Sequence, residues 1–401
     1  MLTWFYIVVL QQILQGIYSL WEGLMWLRFV RQRLGSHPGF YAPRVALICP
    51  CKGLEPGLEE NLAAMTQFDY PAYEIFFVLA KAADPAREVA ERIAAQSEHR
   101  GQVIVAGQPK DCGEKVNNLR AAVEQIGEEF EVLVFTDSDV RPDHRWLARL
   151  VAPLGDPNRG CATTFRWFMP VRAEGSIFWT ALGTAWNAAA VTLLGDHKHN
   201  FCWGGGTAIR RKTFEEARVL DFWKGAVSDD FALTRALGEL GREIYFVPEC
   251  LTPTLHSATR RGLIEFTNRQ LIITRVYKPG LWFGALLSHL SYCASLAFAA
   301  WVIISLILDG QPWFSLALLA LLIPLLATLK GALRLVAVLE ILPEWKAKLI
   351  DWNWAWSFFA PLVPFLYSWN TFTAAFARTI RWRGVRYRLI SPNETRILTH
   401  L

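Results

Sequence analysis

Glu131-Val132-Leu133-Val134-Phe135-Thr136-Asp137-Ser138-Asp139 (EVLVFTDSD) is the stretch from which the rest of the chain can be placed. A short apolar run rich in valine and phenylalanine predicts a buried strand. Side chains alternate along a strand, so Asp137 and Asp139 at its end can converge on one point. Hard carboxylate oxygens suit Mg²⁺ or Mn²⁺, ions that usually keep waters and also bind substrate phosphates. Taken alone, the same acids serve equally well as a solvated turn or a helix cap.

Working outward, strand-like runs recur at Arg44–Cys49, Tyr73–Leu79, Gln102–Val105 and Glu243–Val247. Helical stretches, Pro85–Ser97 and Lys115–Ile126, lie between the early ones. Apolar runs alternating with helices predict a soluble α/β domain over residues 43–253, with a mostly parallel sheet and helices on its faces. Ligands of such sheets bind at the carboxyl ends of the strands.

The whole chain is more apolar than that domain. Of 401 residues, 53% are hydrophobic, with 18 Trp and 25 Phe, and mean hydropathy is +0.21. An ordinary soluble enzyme is less apolar, yet 19% charged residues exceeds what a pure membrane bundle carries. A soluble domain carried on membrane segments satisfies both figures. The net charge is +5, and the basic residues sit beside the apolar segments, which suits an anionic bilayer surface. No Lys/Arg stripe interleaved with stacking aromatics points to nucleic acid. Seven cysteines without a CxxC pair give neither a disulfide framework nor a zinc site, and are expected reduced in a domain facing the cytoplasm.

The first apolar stretch, Leu2 to Val30, is followed by arginines rather than by small residues, so residues 1–33 are expected to be a retained N-terminal anchor. Gln11, Gln12, Gln15 and Glu22 suit packing against other helices better than lipid. Arg28, Arg31 and Arg33 place the following domain in the cytoplasm by the positive-inside rule. Ser176–Gly195 is apolar but lies between two motifs that must share a compartment, and an interfacial helix is the expectation there. Residues 254–280 form a basic amphipathic segment. Three apolar blocks follow within 281–376: Leu281–Leu308, Pro312–Leu329 and Asp351–Phe376, each about long enough to cross a bilayer. Three crossings would strand the arginine-rich tail, 377–401, on the far side. Ala360-Pro361-Leu362-Val363-Pro364 offers a break that would make one block re-entrant.

Other residues add chemistry to the aspartates. Asp229 and Asp230 open a helical run, where acids commonly cap. The functional alternative is a general base that takes a proton from an acceptor hydroxyl. Gly204-Gly205-Gly206 permits close backbone approach or simply a flexible turn. Lys115, Asn117 and Asn118 open a helix and offer a cation and amides to phosphate or ribose. Pro50, Lys52 and Gly53 end the first strand, where a nucleotide sits in such sheets. Arg269, Gln270 and Arg275 precede the first C-terminal block, either anchoring it to headgroups or closing over a diphosphate.

In this order the motifs resemble the ceramide glucosyltransferase family, within the inverting membrane glycosyltransferases of GT-A fold. The resemblance covers about Arg44 to Arg388 and rests on Pro50-Cys51-Lys52-Gly53, Asp69-Tyr70-Pro71, Asp84-Pro85-Ala86, Lys115-Val116-Asn117-Asn118-Leu119, Asp137-Ser138 and Asp229-Asp230-Phe231. Arg381-Trp382-Arg383 and Arg386-Tyr387-Arg388 are similar to the family's tail. Two departures stand out. Lys81 occupies the place of the family's first aspartate, and Arg269-Gln270-Leu271-Ile272-Ile273 lacks the Arg-Trp that ends the family's basic motif.

The resemblance implies a Rossmann-like GT-A domain with N- and C-terminal transmembrane helices, an integral multi-pass membrane protein. It implies a UDP-sugar donor near Pro50, Lys52, Gly53, Asp84, Lys115, Asn117, Asn118 and Asp137, a divalent ion on Asp137 and Asp139, and Asp230 beside Asp229 as the base. The acceptor is expected to be a membrane lipid hydroxyl, as in ceramide, diacylglycerol or a hopanoid-type lipid. A polyprenyl-phosphate glycosyltransferase and a catalytically silent membrane scaffold remain as alternatives.

Overall fold

The computed structural model describes residues 1–36, 39, 41–173 and 175–400. The chain divides into two compact units. One, the sheet unit, comprises Arg33–Trp167, Leu193–Leu255 and Arg378–Leu401. The other, the helical unit, comprises Met1–Gln32, Phe168–Thr192 and His256–Ala377.

The sheet unit is built on seven strands: β1 (Val45–Pro50), β2 (Tyr73–Leu79), β3 (Gly101–Val105), β4 (Val132–Thr136), β5 (Arg159–Thr163), β6 (Gly206–Arg210) and β7 (Glu243–Phe246). Their spatial order is β3-β2-β1-β4-β6-β5-β7. The pairs β1–β2, β2–β3, β1–β4 and β5–β7 are parallel, while β6 runs antiparallel to both its neighbours. The sheet is therefore mixed and mostly parallel. β2 is buried along its whole length, as continuous apolar strands covered on both faces are. Helices Glu114–Gln125 and Asp229–Glu239 pack on it, and Val116, Leu119, Leu233 and Leu237 join Phe135, Trp223 and Ile209 in one core.

Register brings the functional edge together. Pro50 lies opposite Val78, and Ile48 opposite Phe135, so β1, β2 and β4 end at one level. Thr136 lies opposite Gly206, so antiparallel β6 begins where β4 ends. The residues after β1, after β4 and before β6 therefore emerge at one sheet edge.

The arginine-rich tail folds into an antiparallel three-stranded sheet, Thr379–Trp382, Val385–Ser391 and Glu394–His400, and belongs to the sheet unit. It shares that unit with Asp137.

In the helical unit, Pro279–Leu308 and Phe314–Ile341, of 30 and 28 residues, are long and apolar enough to cross a membrane. The third expected block is not one helix: it is divided into Asn353–Ser357, the 3₁₀ turn Ala360–Leu362 and Val363–Phe376. Proline at 361 and 364 removes two backbone donors at that point. Fourteen residues at 1.5 Å each make about 21 Å, short of a roughly 30 Å hydrocarbon core. Ile177–Val191, with 15 residues, is equally short of a crossing.

The N-terminal helix, Leu2–Leu34, packs Phe5, Val9 and Ile13 against Leu306, Leu316, Ala320 and Ile323. Two of its glutamines find partners on Pro279–Leu308. Gln15 donates to the Ser288 hydroxyl at 3.0 Å, and Gln12 accepts from Ser291 at 3.2 Å. At the other end Arg31 grips Glu340 with Nε at 3.0 Å and a terminal nitrogen at 2.7 Å.

Candidate active site

Lys115 holds the centre of the functional edge. It sits in the first turn of Glu114–Gln125, a helix opened by Gly113, whose N–H donates to the Ala226 carbonyl at 2.8 Å. The Lys115 ammonium lies 2.7 Å from Asp137 and 3.1 Å from Asp229, and donates to the Gly204 carbonyl at 3.0 Å. One cation thus joins the end of β4, the start of helix Asp229–Glu239 and the glycine run.

The glycines close this cage. A β-carbon on Gly204 would lie 2.4 Å from an Asp229 oxygen and 2.5 Å from the Lys115 nitrogen. On Gly205 it would meet the Trp203 ring at 2.3 Å and an Asp137 oxygen at 2.8 Å. The run is buried rather than a flexible turn. Its small size admits the protein's own ion cage.

The electrostatics follow from burial and charge placement. Burial alone would raise the Asp137 carboxyl, but Lys115, then Arg166 and Arg383, hold it below its usual value. Asp139 goes the other way, raised by burial and by Asp137 against the pull of Arg166 and Arg383. Asp229 is pushed up to about 6 by burial, with Asp230 and Asp137 adding to the rise and Lys115 opposing it. Burial would lower Lys115, and Asp137 and Asp229 outweigh it and raise the ammonium above its ordinary range.

The two acids of the DxD make direct ion pairs with different cations. Asp137 faces Lys115, whereas Asp139 Oδ2 lies 3.8 Å from Arg166. Asp139 Oδ1 is buried and accepts from no described residue. An orphaned carboxylate oxygen beside a second carboxylate fits a hard divalent cation. No group of three or more His, Cys, Asp or Glu among the described residues completes such a site.

Asp229 and Asp230 open their helix, but the cap is Ser228, whose hydroxyl accepts from Phe231 N–H at 3.3 Å. Asp230 Oδ1 accepts from the same N–H at 2.8 Å and from the Ser228 hydroxyl. Asp229 is buried at 5% exposure, while Asp230 is half-buried.

Around this centre, Pro50 ends β1 and Lys52 is paired with Glu114 at 2.8 Å. Asp84 accepts from the Gly53 N–H at 2.8 Å and from Ala86 N–H at 2.9 Å, tying the loop after β1 to helix Ala86–Gln96, which follows β2. Asn117 donates to the Gly107 carbonyl at 2.9 Å. Asn118 is buried, with its amide near the Val78 carbonyl and its carbonyl oxygen unmatched. Arg269, Gln270 and Arg275 belong to helix Arg260–Tyr277 of the helical unit. There Arg269 stacks over Phe266, and Arg275 donates to the Ala377 carbonyl at 3.0 Å.

Glu55, Arg166 and Arg383 also belong to this site and are not among the site residues its sequence motifs single out. Glu55 accepts from Ser138 at 3.0 Å and pairs with Arg383 at 2.6 Å. Arg383-Gly384 between two alternating runs is a hairpin-turn signal that would have located this arginine.

The family model for glycosyl transferase family 21 matches residues 4–395. Among solved structures, the chain is similar to the mannosyltransferase PcManGT from Pyrobaculum calidifontis in complex with GDP-Man and Mn²⁺, at TM-score 0.50 and 18% identity over 85% of this chain and 99% of that one. It is also similar to glucosyl-3-phosphoglycerate synthase from Mycobacterium tuberculosis in complex with phosphoglyceric acid, at TM-score 0.35 and 18% identity, covering 58% of this chain and 77% of that one.

Proposed function

Because the chain belongs to glycosyl transferase family 21 and is a glycosyltransferase, we propose that it moves a sugar from a nucleotide donor, glucose from UDP-glucose, onto a membrane lipid hydroxyl with inversion. The observation that carries this reading is Lys115 bridging Asp137 at 2.7 Å and Asp229 at 3.1 Å. That bridge draws the DxD and the paired acids, 92 residues apart by their numbering, into one buried cage.

The donor diphosphate belongs at the sheet edge formed by Lys52, Gly53 and Asp137. Asp137 and Asp139 would hold a divalent cation there, as the unmatched Asp139 oxygen favours. When bound, such an ion offsets the charge that builds on the leaving diphosphate. The solved mannosyltransferase of this fold holds GDP-Man and Mn²⁺, in keeping with that assignment.

Asp230 is the base. Asp229 is engaged by Lys115 and deeply buried, so it cannot reach an incoming hydroxyl. Asp230 is held through Oδ1 by Phe231 N–H and Ser228, and its Oδ2 has no partner among the described residues. It takes the proton of the lipid hydroxyl as that oxygen attacks the anomeric carbon. The bond from carbon to diphosphate breaks on the opposite face.

The acceptor comes from the bilayer. We assign three crossings: Leu2–Leu34 and the hairpin Pro279–Leu308/Phe314–Ile341. Support comes from the wide apolar exposure of the first helix, including Trp4, Leu14, Tyr18 and Trp21. Packing of Phe5 and Val9 beside Leu306 and Leu316 puts its start at the hairpin turn, and Arg31 meets Glu340 at the other end. Three crossings before residue 342, with the first ahead of the sheet unit, return the tail to the catalytic side. The arginines after the first helix make that side cytoplasmic.

Detergent-purified protein given UDP-glucose, Mn²⁺ and ceramide or diacylglycerol should form a glycolipid. Asp230→Asn should lower turnover by at least about 100-fold, the usual scale of general-base catalysis, with donor binding kept. Full turnover by that variant, on a lipid alcohol or on a polyprenyl phosphate, would remove Asp230 as base.

A further inference from the structure

Trp382-Arg383-Gly384-Val385 is the tight turn between the first two strands of the C-terminal sheet, and Trp382 pairs directly with Val385. Its two central residues, Arg383 at φ 46° and Gly384 at φ 76°, both lie in the left-handed region. Such turns favour Asn-Gly or Asp-Gly, because a Cβ is penalised at positive φ and Asn or Asp offsets this with local hydrogen bonds. The first central position here carries arginine instead, so the residue is explained by where its guanidinium goes.

That guanidinium enters the candidate active site. One terminal nitrogen pairs with Glu55 at 2.6 Å, and the other lies 3.5 Å from the Lys52 carbonyl, at the loop following β1. Glu55 also accepts from the hydroxyl of Ser138, the middle residue of the DxD. Arg383 is close enough to both Asp137 and Asp139 that their charges, with that of Glu55, raise its pKa despite burial. These two contacts use two of the five guanidinium N–H donors. Among the described residues it makes no other hydrogen bond.

The turn is held from both flanks. The Tyr387 hydroxyl accepts from Glu114 N–H at 3.2 Å, and Tyr387 is 2% exposed. Asn393 accepts from Arg235 at 2.8 Å, and its carbonyl lies where a β-carbon on Gly225 would be, 1.9 Å away. Gly225 has φ 70°, so both space and backbone demand glycine there. The tail is thus anchored on the helix that carries Lys115 and beside the helix that carries Asp230.

We propose that Arg383, delivered by the C-terminal turn, binds the diphosphate of the nucleotide-sugar donor, and that Glu55 holds it in place until the donor arrives. The inference rests on the donor chemistry proposed above and adds a binding group to it. The physical reason is the fit of a planar two-donor fork to phosphate oxygens. Glu55 competes with the diphosphate for the same fork, so Glu55 keeps the site preorganised and weakens donor binding in the same act.

The test is binding of UDP with Mn²⁺, measured on the full detergent-solubilised chain and compared with uridine as competitor. Arg383→Gln should weaken UDP by about 10- to 100-fold and leave uridine within about twofold. Arg383→Lys should fall between. Glu55→Gln should tighten UDP, by about threefold or more. Equal loss of UDP and uridine in Arg383→Gln would show that the arginine only docks the tail, and unchanged UDP binding would show that it does not touch the diphosphate. If Arg383→Gln does not fold, Glu55→Gln decides alone, and unchanged or weaker UDP binding there overturns the assignment. Wild-type protein that binds neither UDP nor GDP would bring down the donor reading itself, and this inference with it.

Discussion

Replacing Lys115 by methionine keeps most of the side-chain stem and removes the ammonium that joins Asp137 to Asp229. The three side chains are 14%, 22% and 6% exposed, so the charges left behind are poorly solvated. Removing one partner of a buried pair costs about 3–5 kcal/mol. The loss depends on pH in a defined sense. Asp229, already pushed up to about 6, loses a cation that opposes its rise and takes up a proton more readily in the variant. Asp137, held low largely by Lys115, loses that support as well. Protons replace the missing cation at low pH, so the variant should be closer to wild type at pH 6 than at pH 8. For a unit of roughly 220 residues, about 2–4 °C per kcal/mol turns this into a drop of about 6–20 °C at pH 8. The assay is thermal unfolding in detergent with chelator, followed by tryptophan fluorescence. Lys224→Met is the control: its pair with Asp221 is 63% and 40% exposed and should cost about 1 kcal/mol or less. A Lys115→Met transition within about 2 °C of wild type at pH 8 would refute the cage as a structural and electrostatic unit.

Gly204→Ala places a methyl 2.4 Å from Asp229 and 2.5 Å from Lys115, and should abolish glycosyl transfer while the protein still purifies folded; a variant with more than a tenth of wild-type turnover would contradict it. Asp139→Asn should raise the Mn²⁺ concentration needed for half-maximal donor binding by at least about tenfold, since Asp139 Oδ1 has no other described partner, and titration of Mn²⁺ at fixed UDP measures it. Asp229 makes the apo protein less stable as pH rises. Its folded carboxyl titrates near 6 against 3.8 unfolded, so the folded state holds the extra proton between those values and up to about 3 kcal/mol is lost from pH 4 to 6. Asp139, raised as well, adds the same sign. By denaturant midpoints, Asp229→Asn should lose less stability than wild type as pH rises across that window; identical slopes would exclude the assignment.

Local pattern alone determined the α/β class. Runs such as YEIFFVL and EVLVF are short, apolar and bounded by turns, and each lies on a strand, β2 and β4. The paired acids could be placed at a helix start for the same reason, because capping is a matter of neighbours in the chain. Gln12 and Gln15 could be recognised as facing other helices because a lone amide in lipid is costly, and Ser288 and Ser291 are their partners.

Long-range packing decided the rest. Cys161-Ala162-Thr163 and Gly206-Thr207-Ala208 carry little strand propensity, and they are strands because the sheet between β4 and β7 pairs them. From the sequence, Lys115 is a phosphate or ribose ligand at the opening of a helix. Only tertiary structure set it between two carboxylates 22 and 114 residues away by their numbering. The tail is identified from sequence only as arginine-rich, and its charges alternate with apolar residues, a pattern that fits a membrane flank and a half-buried strand equally. Which of the two holds depends on whether a partner surface exists, and Glu114, Gly225 and Glu55 supply it. Pairing between residues hundreds of positions apart is invisible to any local window, and that pairing is what put Arg383 beside the aspartates.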